Sequence, residues 1–147
     1  MLVVVHELNL TEVKQKIIIG DRPLMIHAVC PYLFRWLAPA GTCYVQLQDE
    51  NGKKIADSES LTISTIGTGN YWHGFQRFLL SASLKEGQTY YLALKTSGYT
   101  YGAIAYLGWA NSYELRNAGS ASYSPSTGLN APLGLRLWHY SFTEKGD

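Results

Sequence analysis

The sequence predicts an all-β fold, a two-sheet antiparallel β-sandwich of about nine or ten short strands, because apolar residues recur at a period of two along most of its length, between turn residues. Two further observations agree. Charged residues make up only 16% of the 147 residues, whereas Gly numbers 14, Tyr 11 and Trp 4, a balance foreign to disordered chains, long coiled coils and exposed helical bundles. No stretch carries a convincing amphipathic helical period. One domain spanning residues 1–147 is expected, since a chain of this size buries roughly 68–70% of its unfolded surface and can hold one core without staples.

In chain order, Leu2 to Glu7 and Lys14 to Ile19 read as the first two strands, with Thr11 to Lys14 as an alternative helical turn. From Leu24 the even positions Leu24, Ile26, Ala28, Cys30, Tyr32, Phe34 and Trp36 are apolar, while His27 and Arg35 have the other parity. That pattern predicts a half-buried strand with the even set on its apolar face, interrupted at Pro31 for want of an N–H. A hairpin about Ala38 to Gly41 would set Cys43 opposite Trp36 rather than Cys30. The next strand turns Cys43, Val45 and Leu47 inward and Thr42, Tyr44, Gln46 and Gln48 outward. It meets Asn51-Gly52, the strongest short hairpin signal, so Lys54 to Ser58 should return antiparallel.

Gly67-Thr68-Gly69 reads as a turn and Tyr71-Trp72-His73 as a loop beside Asn70. Phe75 to Leu80 is an apolar stretch, and Leu84 to Gly87 turns the chain into Thr89 to Leu94, where Tyr90, Leu92 and Leu94 share one face. Strands near Ala103 to Trp109 and Tyr113 to Arg116 follow. Ala118 to Leu133, rich in Gly, Ser, Asn and Pro, reads as a long loop before a closing strand from Leu135 to Phe142.

Composition excludes several functions. A formal net charge of +1 supplies no field for a phosphate backbone, so nucleic acid is not an expected partner. No run approaches the roughly 20 apolar residues of a membrane span, and His6 and Glu7 cut short any signal-peptide core after Met1 to Val5. A soluble product of the cytoplasm is expected, so the Asn9-Leu10-Thr11 sequon meets no glycosylating compartment. Cys30 and Cys43 have neither metal nor redox spacing and read as buried free thiols.

Catalytic chemistry has few carriers. His6, His27, His73 and His139 are isolated from one another, the carboxylates are scattered, and no nucleophile elbow or phosphate-cradling glycine motif occurs. We therefore expect no enzyme, no catalytic residue, no metal and no cofactor. The aromatic residues are more informative, since Trp and Tyr combine a large rigid surface with a polar tip suited to a protein interface or a sugar. Tyr99, Tyr101, Tyr106, Trp109 and Tyr113 crowd into one stretch, with Tyr71 and Trp72 in another. The candidate contact residues are Asn70, Tyr71, Trp72, Tyr99, Tyr101, Trp109, Asn111 and Tyr123; for each aromatic, a place in the core is the equal alternative.

Phe78, Leu84, Gly87, Thr89, Tyr90, Leu92 and Leu94, then an aromatic glycine-rich stretch, then Leu135-Arg136-Leu137-Trp138, resemble small jelly-roll domains of the carbohydrate-binding-module type. Such domains occur in secreted bacterial proteins and in phage structural proteins. The likeness extends back to Lys14 and is one of strands and turns; it implies a jelly-roll topology. Domains of this type often hold a structural calcium through acidic loop residues, and the corresponding loops here are acid-poor. Family members are commonly tethered to a partner domain, whereas this chain begins at Met1, which leads us to expect a separately made subunit. The resemblance thus implies a noncatalytic virion subunit, a capsid-decoration or tail-associated protein packed as a homo-oligomer against major capsid or tail subunits. The alternative is a carbohydrate-binding module for cell-surface glycans, in which Trp72, Tyr101 and Trp109 stack on sugar and Asn70 and Asn111 read hydroxyls.

Overall fold

The computed structural model describes residues 5–7, 13–99, 106–110, 121–124 and 135–139. The expectations for Tyr101, Asn111 and the strand at 113–116 lie outside these residues. Described strands are β1 (Val5–Glu7), β2 (Val13–Ile19), β3 (Leu24–Trp36), β4 (Thr42–Gln48), β5 (Lys54–Asp57) and β6 (Leu61–Thr62). After a 3-10 turn at Ile63–Thr65 come β7 (Tyr71–Phe75), β8 (Phe78–Leu84), β9 (Thr89–Ser97), β10 (Tyr106–Ala110), β11 (Ala121–Ser124) and β12 (Leu135–His139). Among the described residues no helix is long and apolar enough to cross a membrane.

The strands form two antiparallel six-stranded sheets, as an all-β two-sheet sandwich requires. In one, β3 is the centre: its first half lies between β8 and β12, and its second half between β7 and β10, with β1 beyond β10. In the other the order is β11-β2-β9-β4-β5, with β6 also paired to β4. Alternating residues of both sheets meet in one core, including Ile17 and Ile19 of β2, Cys43, Val45 and Leu47 of β4, Phe78, Leu80 and Leu84 of β8, and Tyr90, Leu92 and Leu94 of β9. The expected inward sets of β4 and β9 are thus in place, and the Asn51-Gly52 turn joins β4 to β5. Gln48, expected outward, is buried where the β4–β5 pairing slips by one residue.

Strand β3 departs most from expectation. Leu24 and Ile26 enter the core, but the next core residues are Val29 and Leu33, so parity changes between Ile26 and Val29. The pairing of β3 with β8 shifts between Ile26 and Ala28, and its pairing with β12 shifts at the residues opposite the same place. A one-residue slip exchanges the faces of everything beyond it. Tyr32, Phe34 and Trp36 therefore lie on the face away from the core, and Arg35 turns inward. The strand also runs through Pro31 without interruption. At that residue β3 changes partners, from β8 to β7 on one side and from β12 to β10 on the other, so no continuous ladder needs the missing N–H.

No hairpin joins β3 to β4 about Ala38 to Gly41, because the two strands belong to different sheets. Leu37 takes a left-handed conformation at φ 57° and Gly41 one at φ 102°, and these turn the chain across the sandwich. A Cβ at Gly41 would stand 2.6 Å from the Ser97 carbonyl oxygen, so the crossing demands glycine there. Two further expectations change: Tyr71-Trp72-His73 is strand rather than loop, and β11 interrupts the long loop expected from Ala118 to Leu133.

Both cysteines are buried, and neither is in a disulfide. Burial pushes the Cys43 thiol from its ordinary value of 9.0 up to about 12, because an apolar site disfavours the thiolate. The folded state thus keeps a proton that the unfolded chain releases, so this group leaves stability intact below about pH 9.0 and erodes it as pH rises toward about 12. Native Cys43 should resist thiol reagents at mildly alkaline pH and react once denaturant opens the sandwich, as timed modification can read. Leu92 is fully buried, and Leu92→Ala should cost ~2–5 kcal/mol through lost transfer energy and the cavity left. Chemical denaturation checks this; a loss below ~1 kcal/mol would match a surface substitution and contradict the burial.

Candidate functional site

The parity change in β3 and the pairing of β7 together create an aromatic surface. In register, Trp36 faces Tyr71, Phe34 faces His73 and Tyr32 faces Phe75. The Leu37 N–H donates to the Asn70 carbonyl at 2.6 Å, and the Gln76 N–H donates to the Pro31 carbonyl at 3.0 Å. Antiparallel ladders alternate bonded and non-bonded pairs, so the three aromatic pairs occupy non-hydrogen-bonded positions, where side chains approach most closely. Ring centroids are accordingly 5.2 Å apart for Trp36 and Tyr71, 5.0 Å for Phe34 and His73, and 4.9 Å for Tyr32 and Phe75, all near edge to face. The Tyr32 ring also stacks at 5.8 Å on His73, and its hydroxyl shares a 2.6 Å hydrogen bond with His73 Nδ1.

This row is uncovered at one end. Tyr71 is 63% exposed and Trp36 39%, with His73 exposed and Tyr32, Phe34 and Phe75 half-buried.

Beneath the row, Arg35 holds the site together from inside. Its side chain is only 3% exposed, and its guanidinium donates to three backbone carbonyls: Nε to Ile66 at 2.5 Å, Nη1 to Leu37, and Nη2 to Gly69 at 2.8 Å. These carbonyls belong to the end of β3 and to the loop that leads into β7. A planar fork spreads its five donors in fixed directions over three nitrogens and so reaches three separated carbonyls, whereas an ammonium must bond from a single atom. Arg35 thereby fixes the entry of β7 and the left-handed turn at Leu37.

Trp72 locks the same loop from the other side of β7. It is half-buried, packs against the core, and pairs in register with Arg35. Gly67, at φ 71°, lies so close that a Cβ there would stand 2.2 Å from the indole, and one on Gly74 would stand 2.8 Å from it. The glycines make room for the ring.

The eight expected contact residues therefore part ways. Asn70 and Tyr71 are exposed and adjoin the aromatic row. Trp72 is engaged inside, and Tyr99 packs against the core while its hydroxyl accepts the Leu107 N–H at 3.0 Å. Trp109 lies in β10 opposite Leu33, and Tyr123 in β11 opposite Ile17. Tyr101 and Asn111 are outside the described residues. Sequence reasoning missed Tyr32, Phe34, Trp36, His73 and Phe75 as surface residues: the alternation of Tyr32, Phe34 and Trp36 was legible but the slip that decides their face was not, while His73 was read as loop and Phe75 as part of an apolar stretch.

Among the described residues no group of three or more His, Cys, Asp and Glu side chains gathers as a metal site would. No family model matches the sequence, and no curated protein matches it.

Arg35→Met should cost ~1–3 kcal/mol, the usual penalty for buried polar groups left unpaired. Arg35→Lys should recover only part of it. Denaturant unfolding of the three proteins measures the difference, and equal stability of wild type and Arg35→Met would refute the bracing role.

Proposed function

We propose that this chain is a noncatalytic assembly subunit that docks another protein on the aromatic face of β3 and β7. The observation that carries the reading is the row Trp36, Tyr71, His73 and Phe34, rings held in contact with one another yet open to water at Tyr71 and Trp36. Covering roughly 100 Å² of such surface contributes about 2.5 kcal/mol. Protein interfaces concentrate their energy in buried Trp and Tyr and exclude most charge from the centre. Across the paired residues 32–36 and 71–75 the only formally charged side chain, Arg35, is turned inward, which fits that composition.

The geometry suits protein better than sugar. A pyranose stacks on an open ring face, whereas Trp36 and Tyr71 meet at 79°, giving a ridged surface that interlocks with other side chains. The assembly we propose is a virion, with major capsid or tail subunits as partners, and this part rests on the resemblance of strand and turn pattern.

Hydroxyl-radical footprinting of the isolated chain and of its native complex tests the reading. Trp36, Tyr71 and His73 should oxidise severalfold more slowly in the complex. Equal oxidation would overturn it, and glycan-array binding abolished by Trp36→Ala with Tyr71→Ala would put a sugar in the partner's place.

A further inference from the structure

The manner of docking follows from the backbone, given that β3 and β7 form a docking face. Because Tyr71 and His73 occupy non-hydrogen-bonded pairs with β3, their N–H and C=O groups point away from it, toward the other side of β7. Among the described residues no strand pairs with that side.

Two other strand edges among the described residues are guarded. Along β5, Lys54 and Asp57 form an ion pair at 3.3 Å and charge the strand. At β8, Glu59 closes the edge: the Leu79 N–H donates to Glu59 Oε2 at 2.8 Å, and the Glu59 N–H donates to the Leu79 carbonyl at 3.1 Å. The Tyr71–Phe75 strand has no Lys, Arg, Asp, Glu or Pro of its own. An edge left with outward backbone groups and no such guard is a template for another strand.

We infer that the partner docks by strand addition: an extended segment of a different protein pairs with β7 through the backbone of Tyr71 and His73. Its uncharged β-branched or aromatic side chains, at every second position, lie along the rings of Tyr71 and His73, which Trp36 and Phe34 back from β3. Backbone bonds supply the alignment, and the ring row selects the side chains. A second copy of this chain fits less well, since its own β7 has no β-branched residue and carries Gly74, which weakens a strand.

The test selects short random peptides against the immobilised full chain and uses the enriched peptides, synthesised, as probes. Binding is measured for wild type, Trp36→Ala, His73→Ala and His73→Pro, and amide hydrogen exchange is followed by NMR. His73→Ala removes the imidazole and keeps the N–H; His73→Pro removes both, at an edge position where proline spares the ladder with β3. The expected peptides alternate apolar residues, slow the exchange of the Tyr71 and His73 amides, and bind His73→Pro about tenfold more weakly than His73→Ala, the cost of one unpaired carbonyl. Thermal unfolding checks that each variant folds, and if His73→Pro does not, amide protection in the wild type decides alone. Peptides that bind both His73 variants equally and leave these amides unprotected, yet are lost with Trp36→Ala, would overturn strand addition while the docking face stands. Failure to enrich any peptide would also overturn it, with footprinting of the native complex judging the docking face separately. Concentration-dependent self-association that protects the same amides would replace the different protein with a second copy.

Discussion

A β-strand has two faces and no others, so the single slip between Ile26 and Val29 decides what most of β3 does. Before it, the even residues Leu24 and Ile26 fill the space between the sheets; after it, Val29 and Leu33 do so, and the aromatic residues at 32, 34 and 36 are released outward. Without the slip, three large rings would press into the core and the Arg35 guanidinium would sit in water. The aromatic surface is thus a product of strand geometry as much as of composition.

Arg35 shows how a buried guanidinium can be held by backbone carbonyls. Its three carbonyl partners distribute the charge over peptide dipoles and satisfy donors that would otherwise be stranded in an apolar interior. They also join parts of the chain remote in sequence: the end of β3, the segment after the 3-10 turn, and the approach to β7. Trp72, seated against Gly67 and Gly74, reaches the same loop through packing. The outward rings of β7 therefore rest on a floor fixed by hydrogen bonds and packing together, which spares a partner the cost of ordering them.

The fold was legible where β4 and β9 pair without a shift and where a turn motif stood between strands. In β4 and β9 the period of two identified Cys43, Val45, Leu47, Tyr90, Leu92 and Leu94 as inward, and Asn51-Gly52 marked the hairpin. It was illegible where one residue is gained or lost, because alternation carries phase but no absolute sign: the even residues of β3 read as one continuous face although two are present. The β3–β4 connection misled for a related reason, since a sequence suggests a turn without saying whether the chain returns to the same sheet. At the candidate site, adjacent aromatics such as Tyr71 and Trp72 must face opposite ways on a strand, and only the register with β3 tells which is outside. Tyr71 and Asn70 were identifiable from residue type and turn context; Trp36, Phe34 and His73 needed the pairing.

The placement of β3 also bears on how the molecule is made. Its neighbours β10 and β12 lie far downstream in the chain, as β11 does for β2, so neither sheet can be completed while translation is still upstream of them. Such long-range closure is slow compared with local hairpin formation. During that interval the rings of β3 and β7 stand next to unfinished ladders, the condition under which nascent chains cling to one another. A chaperone, or the docking partner itself arriving early, would then shape yield in the cell as strongly as the equilibrium stability of the finished sandwich.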